Sequence, residues 1–414
     1  MRKVTIKENS SLTLEDEYIP IIEDILTENP ELPIKINKNI LAFNDYTVGI
    51  IKIADLIIEI KSRNEAISMN SVFEMYTFIN SNNTDFPIHT IGFDLENSFE
   101  LTSITNYFYK LCYSLLSEGL TGTFIKEKQY SKIIKGSIVF EEYVQQEVPY
   151  KGLSIINEEY TINSVQNQII KAALRKIKES EQSEGLIQKI DTLLREFDFV
   201  DDRDFNYYEL EELQSKYNTF YSPNRYYPIV LETSIKILKD LKTSYNNGIL
   251  EWYSFLVNSN DTFEKYVRKL LNIGLKEDVV KWREPKIFAS IKGNDGIGYK
   301  SYSPDILIDY HESYGVSRAV LDVKNKLFSP SRQNVAELVS SGDLYQIIFY
   351  CRKLKTNVGG IIYPTNRDYH PYKIEISDEG DPLVYLISIN MTDSFENRYN
   401  KLIDEVKGYI LQNT

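Results

Sequence analysis

The chain is poor in the residues from which most metal, redox and relay sites are built. Its 414 residues include two cysteines, Cys112 and Cys351, far apart and in no CxxC pair, which excludes a disulfide framework and a cysteine zinc site. Three histidines, His89, His311 and His370, leave little for imidazole ligation or a histidine relay, so any catalysis is expected to rest on carboxylates and lysine. No apolar run approaches the roughly 18 to 20 residues of a membrane helix. The opening MRKVTIKENSS has early basic residues but no apolar stretch behind them, so no signal peptide is read there and a soluble, cytoplasmic protein is expected.

What is present is core-forming material. Hydrophobic residues make up 42% and aromatics 13%, with 31 Tyr and 19 Phe, enough for large cores. The length predicts two or three domains. The formal charge of -13 is unevenly spread: from Asp261 onward 21 Lys and Arg balance 21 Asp and Glu, so the whole deficit lies in the first 260 residues. An acidic half is a poor surface for a phosphate backbone and a reasonable one for a protein.

Hydrophobic periodicity divides the chain into three. Residues 1–154 read as mixed α/β: RKVTIKE alternates, PIKIN and ILAF are short apolar pieces, TVGIIKIADLIIEIKS is a β-rich run bending at ADL, and MNSVFEMYTFIN and SITNYFYKLCYSLLSEGL have helical spacing, the latter stopping at Gly119. Residues 155–258 carry four helical patterns, SVQNQIIKAALRKIKESE, GLIQKIDTLLREF, YYELEELQSKYN and YYPIVLETSIKILKDLKTSY. Residues 259–414 read as helix (DTFEKYVRKLLNIG), a three-strand meander (KIFASI, DILIDY, RAVLDV), a long helix (QNVAELVSSGDLYQIIFYCRKLK), three strands (VGGIIYP, YKIEI, LVYLIS) and a final helix. Together they predict a multi-domain α/β protein with a helical middle.

The chemistry concentrates in YSPDILIDYHESYGVSRAVLDVKNK, Tyr302 to Lys326. Its two apolar runs read as buried strands, yet Asp305 opens the first and Asp322 and Lys324 close the second, where burying charge is costly. If the runs form a hairpin with Tyr310 near Arg318, Asp305 falls opposite the Asp322–Lys324 segment, and Asp322 and Lys324, two apart, share a face. Two carboxylates a few ångströms apart raise each other's pKa unless a cation sits between them. A hard divalent ion such as Mg²⁺ relieves both, and an adjacent amine can orient water or stabilise developing phosphate charge.

Pro304-Asp305 followed by Asp322-Val323-Lys324 resembles the motif of the PD-(D/E)xK nucleases. Two further features stand in the order that family has them: Glu264, in FEKYVRKLL, as a third acidic ligand, and Gln346 with Tyr350, in QIIFY, one helical turn apart on a common face. Each also has a plainer reading, Glu264 as a surface helix charge and the Gln346–Tyr350 pair as ordinary packing. Lys326 is a candidate second amine or a solvated residue past the strand.

Within that superfamily the FE helix, PD, LDVKNK, DLYQIIFY and VGGIIYP, with an N-terminal VGIIKIADLIIEIKS leading to Lys61, look like McrC, the nuclease subunit of McrBC-type restriction systems. The family tends to have proline before that lysine, where this chain has Ile60. The resemblance implies a nuclease domain over 259–414, with Asp305, Asp322 and Glu264 holding Mg²⁺, Lys324 catalytic, and Gln346, Tyr350 and Lys326 supporting the site or touching DNA. It also implies an N-terminal region, 1–154, that docks into a hexameric AAA+ GTPase ring of the McrB type, and double-stranded DNA as substrate, with no nucleotide bound by this chain, which has no GxxxxGK(S/T) loop. The alternatives are a stand-alone RecB-like nuclease, whose usual four-cysteine iron–sulfur cluster two cysteines cannot supply, and a non-catalytic activator of an AAA+ motor.

Overall fold

A computed structural model describes residues 2–28, 30, 32–80, 101–133, 135–139, 152–180, 183–217, 223–240, 245–246, 249–250, 252–280, 286–293, 296–328, 335–376 and 380–414. His89 lies outside them. The chain is mixed α/β and divides into two compact units. The first is discontinuous, Met1–Ile79 with Ser254–Thr414, and the second runs over Leu95–Tyr253. These units do not coincide with the expected divisions at 154/155 and 258/259. Long-range strand pairing and buried polar bonds decide which segments share a core.

In the first unit the N-terminal strands are β1 (Arg2–Lys7), β2 (Ser11–Thr13), β3 (Ile34–Asn37), β4 (Ile40–Phe43), β5 (Thr47–Ile53) and β6 (Leu56–Lys61), with helices α1 (Ile19–Glu28) and α2 (Met69–Asn80). The β-rich run TVGIIKIADLIIEIKS is a tight hairpin: Ile53 pairs with Leu56, leaving Ala54 and Asp55 as a two-residue turn, with Ala54 at φ 53. β1 joins β6 in parallel, and β7 (Trp252–Asn258) completes the order β1-β6-β5-β7. Thus the strand that ends the middle of the sequence closes a sheet begun at residue 2.

Helix α3 (Ser259–Gly274) follows at once, its start capped by the Asn258 side chain, which accepts from the Asp261 N–H. It buries Phe263, Tyr266, Val267, Leu270 and Leu271 at helical spacing. Beyond it come β8 (Val279–Val280), β9 (Lys286–Gly293), β10 (Gly296–Tyr302), β11 (Ile306–His311), β12 (Val316–Val323), helix α4 (Ser341–Leu354), β13 (Val358–Thr365), β14 (Tyr372–Ile374), β15 (Leu383–Asn390) and α5 (Phe395–Glu405). The main sheet has the order β8-β11-β12-β13-β15-β14, with β12, β13 and β15 mutually parallel and α4 the crossover between the first two.

Two local expectations are corrected. KIFASI does not join the sheet; as β9 it pairs with β10, GIGYKSY, in a separate two-stranded ribbon. The long helix expected over 333–355 is divided: a short 3-10 turn, Val335–Leu338, precedes α4, because Ser340 is extended and its hydroxyl accepts from the Asp343 N–H as an N-cap. α4 lies close against β13, where a Cβ on Gly359 would stand 2.7 Å from Cys351 Sγ and 2.9 Å from Ile347 Cγ1. The glycine is therefore what lets the helix approach the sheet at that depth.

The second unit packs the helices 101–118, 165–180, 184–195, 207–217 and 227–240 around Phe108, Leu111, Ile169, Ile170, Leu174 and Tyr227. Buried neutral polar groups bond to one another there: Tyr227 donates to Asn167 Oδ1 at 2.7 Å, and Asn167 Nδ2 donates to the carbonyls of Thr121 and Ile162. A small antiparallel sheet pairs the exposed strand Thr123–Ser131 and the short Ser137–Ile138 with opposite edges of Leu153–Thr161.

Candidate active site

β11 and β12 pair antiparallel with Ile306 opposite Leu321 and Tyr310 opposite Ser317. This is one residue from the expected Tyr310–Arg318 pairing, because the connecting turn is Glu312–Gly315, closed by His311 opposite Val316. Continued one step, the register sets Asp305 directly across from Asp322, on the same face of the ladder. Asp305 is pinned there by its own Oδ2, which accepts from the Val323 N–H at 2.8 Å.

Asp322 is wholly buried, and among the described residues its Oδ1 has no hydrogen-bond partner. Lys324 Nζ lies 2.6 Å from Asp322 Oδ2 and donates to Gln346 Oε1 at 3.0 Å. Gln346 Nε2 donates to the Tyr350 hydroxyl at 2.7 Å, and that hydroxyl reaches the Ser303 carbonyl at 3.4 Å. A continuous polar chain thus runs from the buried carboxylate through the amine and along one face of α4 to the residue two before Asp305.

The electrostatics follow from this crowding. Burial, and then the neighbouring Asp322, pushes Asp305 up to about 7. Burial also raises Asp322, against the opposing pull of Lys324. For Lys324 burial works against the charge, but Asp322 and Asp305 outweigh it and hold the ammonium above its ordinary value. The result is a cation held beside two carboxyls that cannot both ionise cheaply.

Glu264 stands on α3, close enough to raise Asp305 electrostatically, but its carboxylate is paired with Arg268 Nη1 at 3.1 Å. Among the described residues no three His, Cys, Asp or Glu side chains are grouped closely enough to hold a metal. The convergence is therefore of two carboxylates and a lysine, with Glu264 at the margin.

Against known proteins, the family described as McrBC 5-methylcytosine restriction system component matches over residues 44–364. The chain belongs to the McrBC family. The fold is similar to a chain of a refined half-complex from a tetradecameric assembly of Thermococcus gammatolerans McrB AAA+ hexamers with bound McrC: TM-score 0.59, 14% identity, 99% of this chain and 100% of that one covered. A chain of the Thermococcus gammatolerans McrBC complex, seen by cryo-electron microscopy, aligns over 68% of this chain and 89% of that one at 12% identity and TM-score 0.44. No curated protein matches the chain.

The McrBC match spans every residue singled out in the sequence as a site candidate. The structure brings together Asp305, Asp322, Lys324, Gln346 and Tyr350. Lys326 pairs with Asp343, whose carboxylate takes its Nζ at 2.7 and 2.8 Å. His311 and His370 are exposed.

Sequence reasoning missed Asp343, a buried carboxylate in the first turn of α4 that acts on the charge of both Asp322 and Lys324. It also missed the brace on the strand's far end. Asn325 Nδ2 donates to Ser259 Oγ at 3.1 Å, Asn325 Oδ1 accepts from Asn64 Nδ2 at 3.2 Å, and Ser259 Oγ donates to Glu8 Oε2 at 2.8 Å. Asn325 was visible inside LDVKNK, next to the lysine. Glu8 and Asn64, more than 250 residues away, carried no local signal.

Proposed function

We propose that this chain is the DNA-cutting subunit of a McrBC-type restriction system, hydrolysing phosphodiester bonds with Mg²⁺ and working with a partner AAA+ ring. The observation that carries the reading is the facing Asp305–Asp322 pair with Lys324 in contact, a grouping that is costly to bury and has no structural need. The McrBC family match supports the system, and the nuclease domain over 259–414, of PD-(D/E)xK type, is our assignment from the motif.

The donor set fits a hard cation. An orphaned, buried Asp322 oxygen and an Asp305 raised by its neighbour are both relieved by one divalent ion, with Glu264 as a third oxygen donor if Arg268 releases it. When bound, such an ion supplies Lewis acidity and a water of lowered pKa. Lys324 places a positive charge at the scissile phosphate and orients the attacking water. Gln346 and Tyr350 fix the position of its ammonium, so that Lys324 acts from one place and not from several.

McrB AAA+ hexamers with bound McrC, in the similar assembly, support a partner ring of that kind here, met by the acidic first half of the chain. The ring supplies nucleotide hydrolysis and much of the grip on DNA. The test is cleavage of methylated and unmethylated plasmid with Mg²⁺, by the chain alone and with its AAA+ partner and GTP or ATP. Cutting is expected only with partner and nucleotide. Asp322→Ala and Lys324→Ala should lose it while still stimulating nucleotide hydrolysis, and full cutting by either variant would sink the assignment.

A further inference from the structure

Apart from its base, where Tyr302 packs against the core, the β9–β10 ribbon stands outside it. Neither strand belongs to a larger sheet, and both broad faces meet solvent: Ile287, Ile291, Ile297 and Tyr299 are 56 to 63% exposed. A two-stranded ribbon is marginal by itself in water, and a cluster of large exposed apolar side chains marks a binding surface.

Its register sorts the side chains. Ala289 pairs with Lys300 and Ile291 with Gly298, placing Lys300 and Ile291 on one face. Ser290 pairs with Tyr299 and Lys292 with Ile297, placing Tyr299, Lys292 and Ile297 on the other. Each face therefore offers a lysine beside apolar groups, and no acidic side chain occurs among the ribbon's described residues; Asn294 and Asp295, between the two strands in sequence, lie outside them.

The base of the ribbon is fixed to the candidate site. Phe288 packs edge-on against Phe349 with ring centroids 4.9 Å apart, and Tyr302 lies 5.4 Å from Phe349 and 6.0 Å from Tyr350. Phe349 and Tyr350 are on α4, beside Gln346, and Tyr302 is three residues before Asp305. Whatever the ribbon holds is thereby held next to the carboxylate pair.

We infer that the β9–β10 ribbon enters a groove of duplex DNA and holds the substrate beside Asp305 and Asp322. A flat partner would meet one face and leave the lysine of the other idle. A major groove about 12 Å wide has phosphates on both walls and admits a two-stranded ribbon, so lysines on opposite faces are complementary to it. Ile291, Ile297 and Tyr299 then make apolar contacts along the groove. This rests on the DNA-cutting reading, though its test does not depend on cleavage.

The experiment uses the full chain with its AAA+ partner and a labelled DNA duplex, without divalent metal so that nothing is cut. A photo-crosslinking phenylalanine analogue at Tyr299 is expected to attach to DNA. A Lys292→Ala, Lys300→Ala double variant is expected to weaken binding and to lower the slope of log affinity against log salt by about 2. Adducts to a second copy of the chain or to the AAA+ protein in place of DNA, or an unchanged salt slope, would overturn the inference, as would absence of any duplex binding. Ribbon-dependent binding by a chain that never cuts under cleavage conditions would leave the ribbon's role standing and remove the nuclease reading.

Discussion

Two of the places in the first unit that bury acidic side chains handle them differently. On the N-terminal sheet Glu59 and Glu8 are only 5% and 4% exposed. Each is answered: Glu59 accepts from the Thr5 hydroxyl at 3.2 Å and lies 3.4 Å from Lys3 Nζ and 3.7 Å from Lys61 Nζ, while Glu8 accepts from the Arg63 N–H and the Ser259 hydroxyl. On the main sheet, among the described residues, Asp322 has one oxygen without a hydrogen-bond partner, a second carboxylate facing it, and one lysine shared between them. A buried acid with partners on every side holds structure together. One left short of partners beside a like charge is kept at a cost to stability, and that difference, more than burial itself, separates the candidate site from the scaffold. Glu405 shows the limit of the criterion: it too has an unpartnered buried oxygen, and burial raises it to about 7, but its nearest charges are Lys401 and Asp368, not a facing carboxylate and a strand-mate lysine.

Removing each kind of acid should therefore have opposite consequences, and this is the largest effect expected. Asp322→Asn keeps the shape and removes a poorly served charge. Cleavage with the AAA+ partner should fall by at least about a thousand-fold, as when a principal electrostatic group is lost from a reaction centre. The thermal midpoint of the metal-free protein should stay level or rise. Glu59→Ala should do the reverse, leaving cleavage intact while costing about 1 to 2 kcal/mol of stability as Thr5 and the two lysines lose their partner. Calorimetry and plasmid cleavage on the same preparations decide it, and a destabilised Asp322→Asn protein would break the contrast.

A smaller effect sharpens where the scaffold ends. Asn325 touches neither carboxylate in the site; it ties the residue after Lys324 to Ser259 and Asn64, and through Ser259 to Glu8, itself one of the well-served acids. If this brace sets the position of the lysine, Asn325→Ala should lower kcat by about 10- to 100-fold, the usual cost of losing an outer-shell support. The Mg²⁺ concentration giving half-maximal rate should not move, since Asp305 and Asp322 are untouched. A shift in metal dependence with unchanged kcat would assign Asn325 to the ion instead.

The contrast also explains what could be read from the sequence. Charges planted against apolar runs were visible in PDILIDY and AVLDVKNK because strands are local and their burial is written in composition. Gln346 and Tyr350 were visible because helical spacing is local too. The one-residue error in hairpin register came from the turn, whose length was set by where His311 and Val316 close the ladder. The discontinuous unit was not legible, because pairing of β1 with β6 and of β7 with β5 is a long-range choice that no window of sequence contains. For the same reason the well-served acids were missed: the partners that make Glu8 structural come from Arg63 and Ser259.

The finest test of the comparison is titration without metal. Asp305 has its folded pKa raised to about 7, chiefly by burial and then by Asp322, against about 3.9 for a free aspartate. The folded state therefore binds this proton more tightly than the unfolded chain does. The stability linked to it is fully present below about pH 4 and is lost as pH rises through about 7. Asp322 shifts in the same direction and adds to the slope. With chelator present, the thermal midpoint should decline between about pH 4 and pH 7, and Asp305→Asn should make that decline shallower by removing one titrating group, the remainder belonging to Asp322 and Glu405. Mg²⁺ should restore the midpoint most at the alkaline end, where both carboxylates are ionised and their mutual repulsion is greatest. A wild-type profile that rises over this range, or a decline as steep in Asp305→Asn as in the wild type, would mean the pair is better served in solution than its geometry indicates, and the difference between the two acidic sites would narrow accordingly.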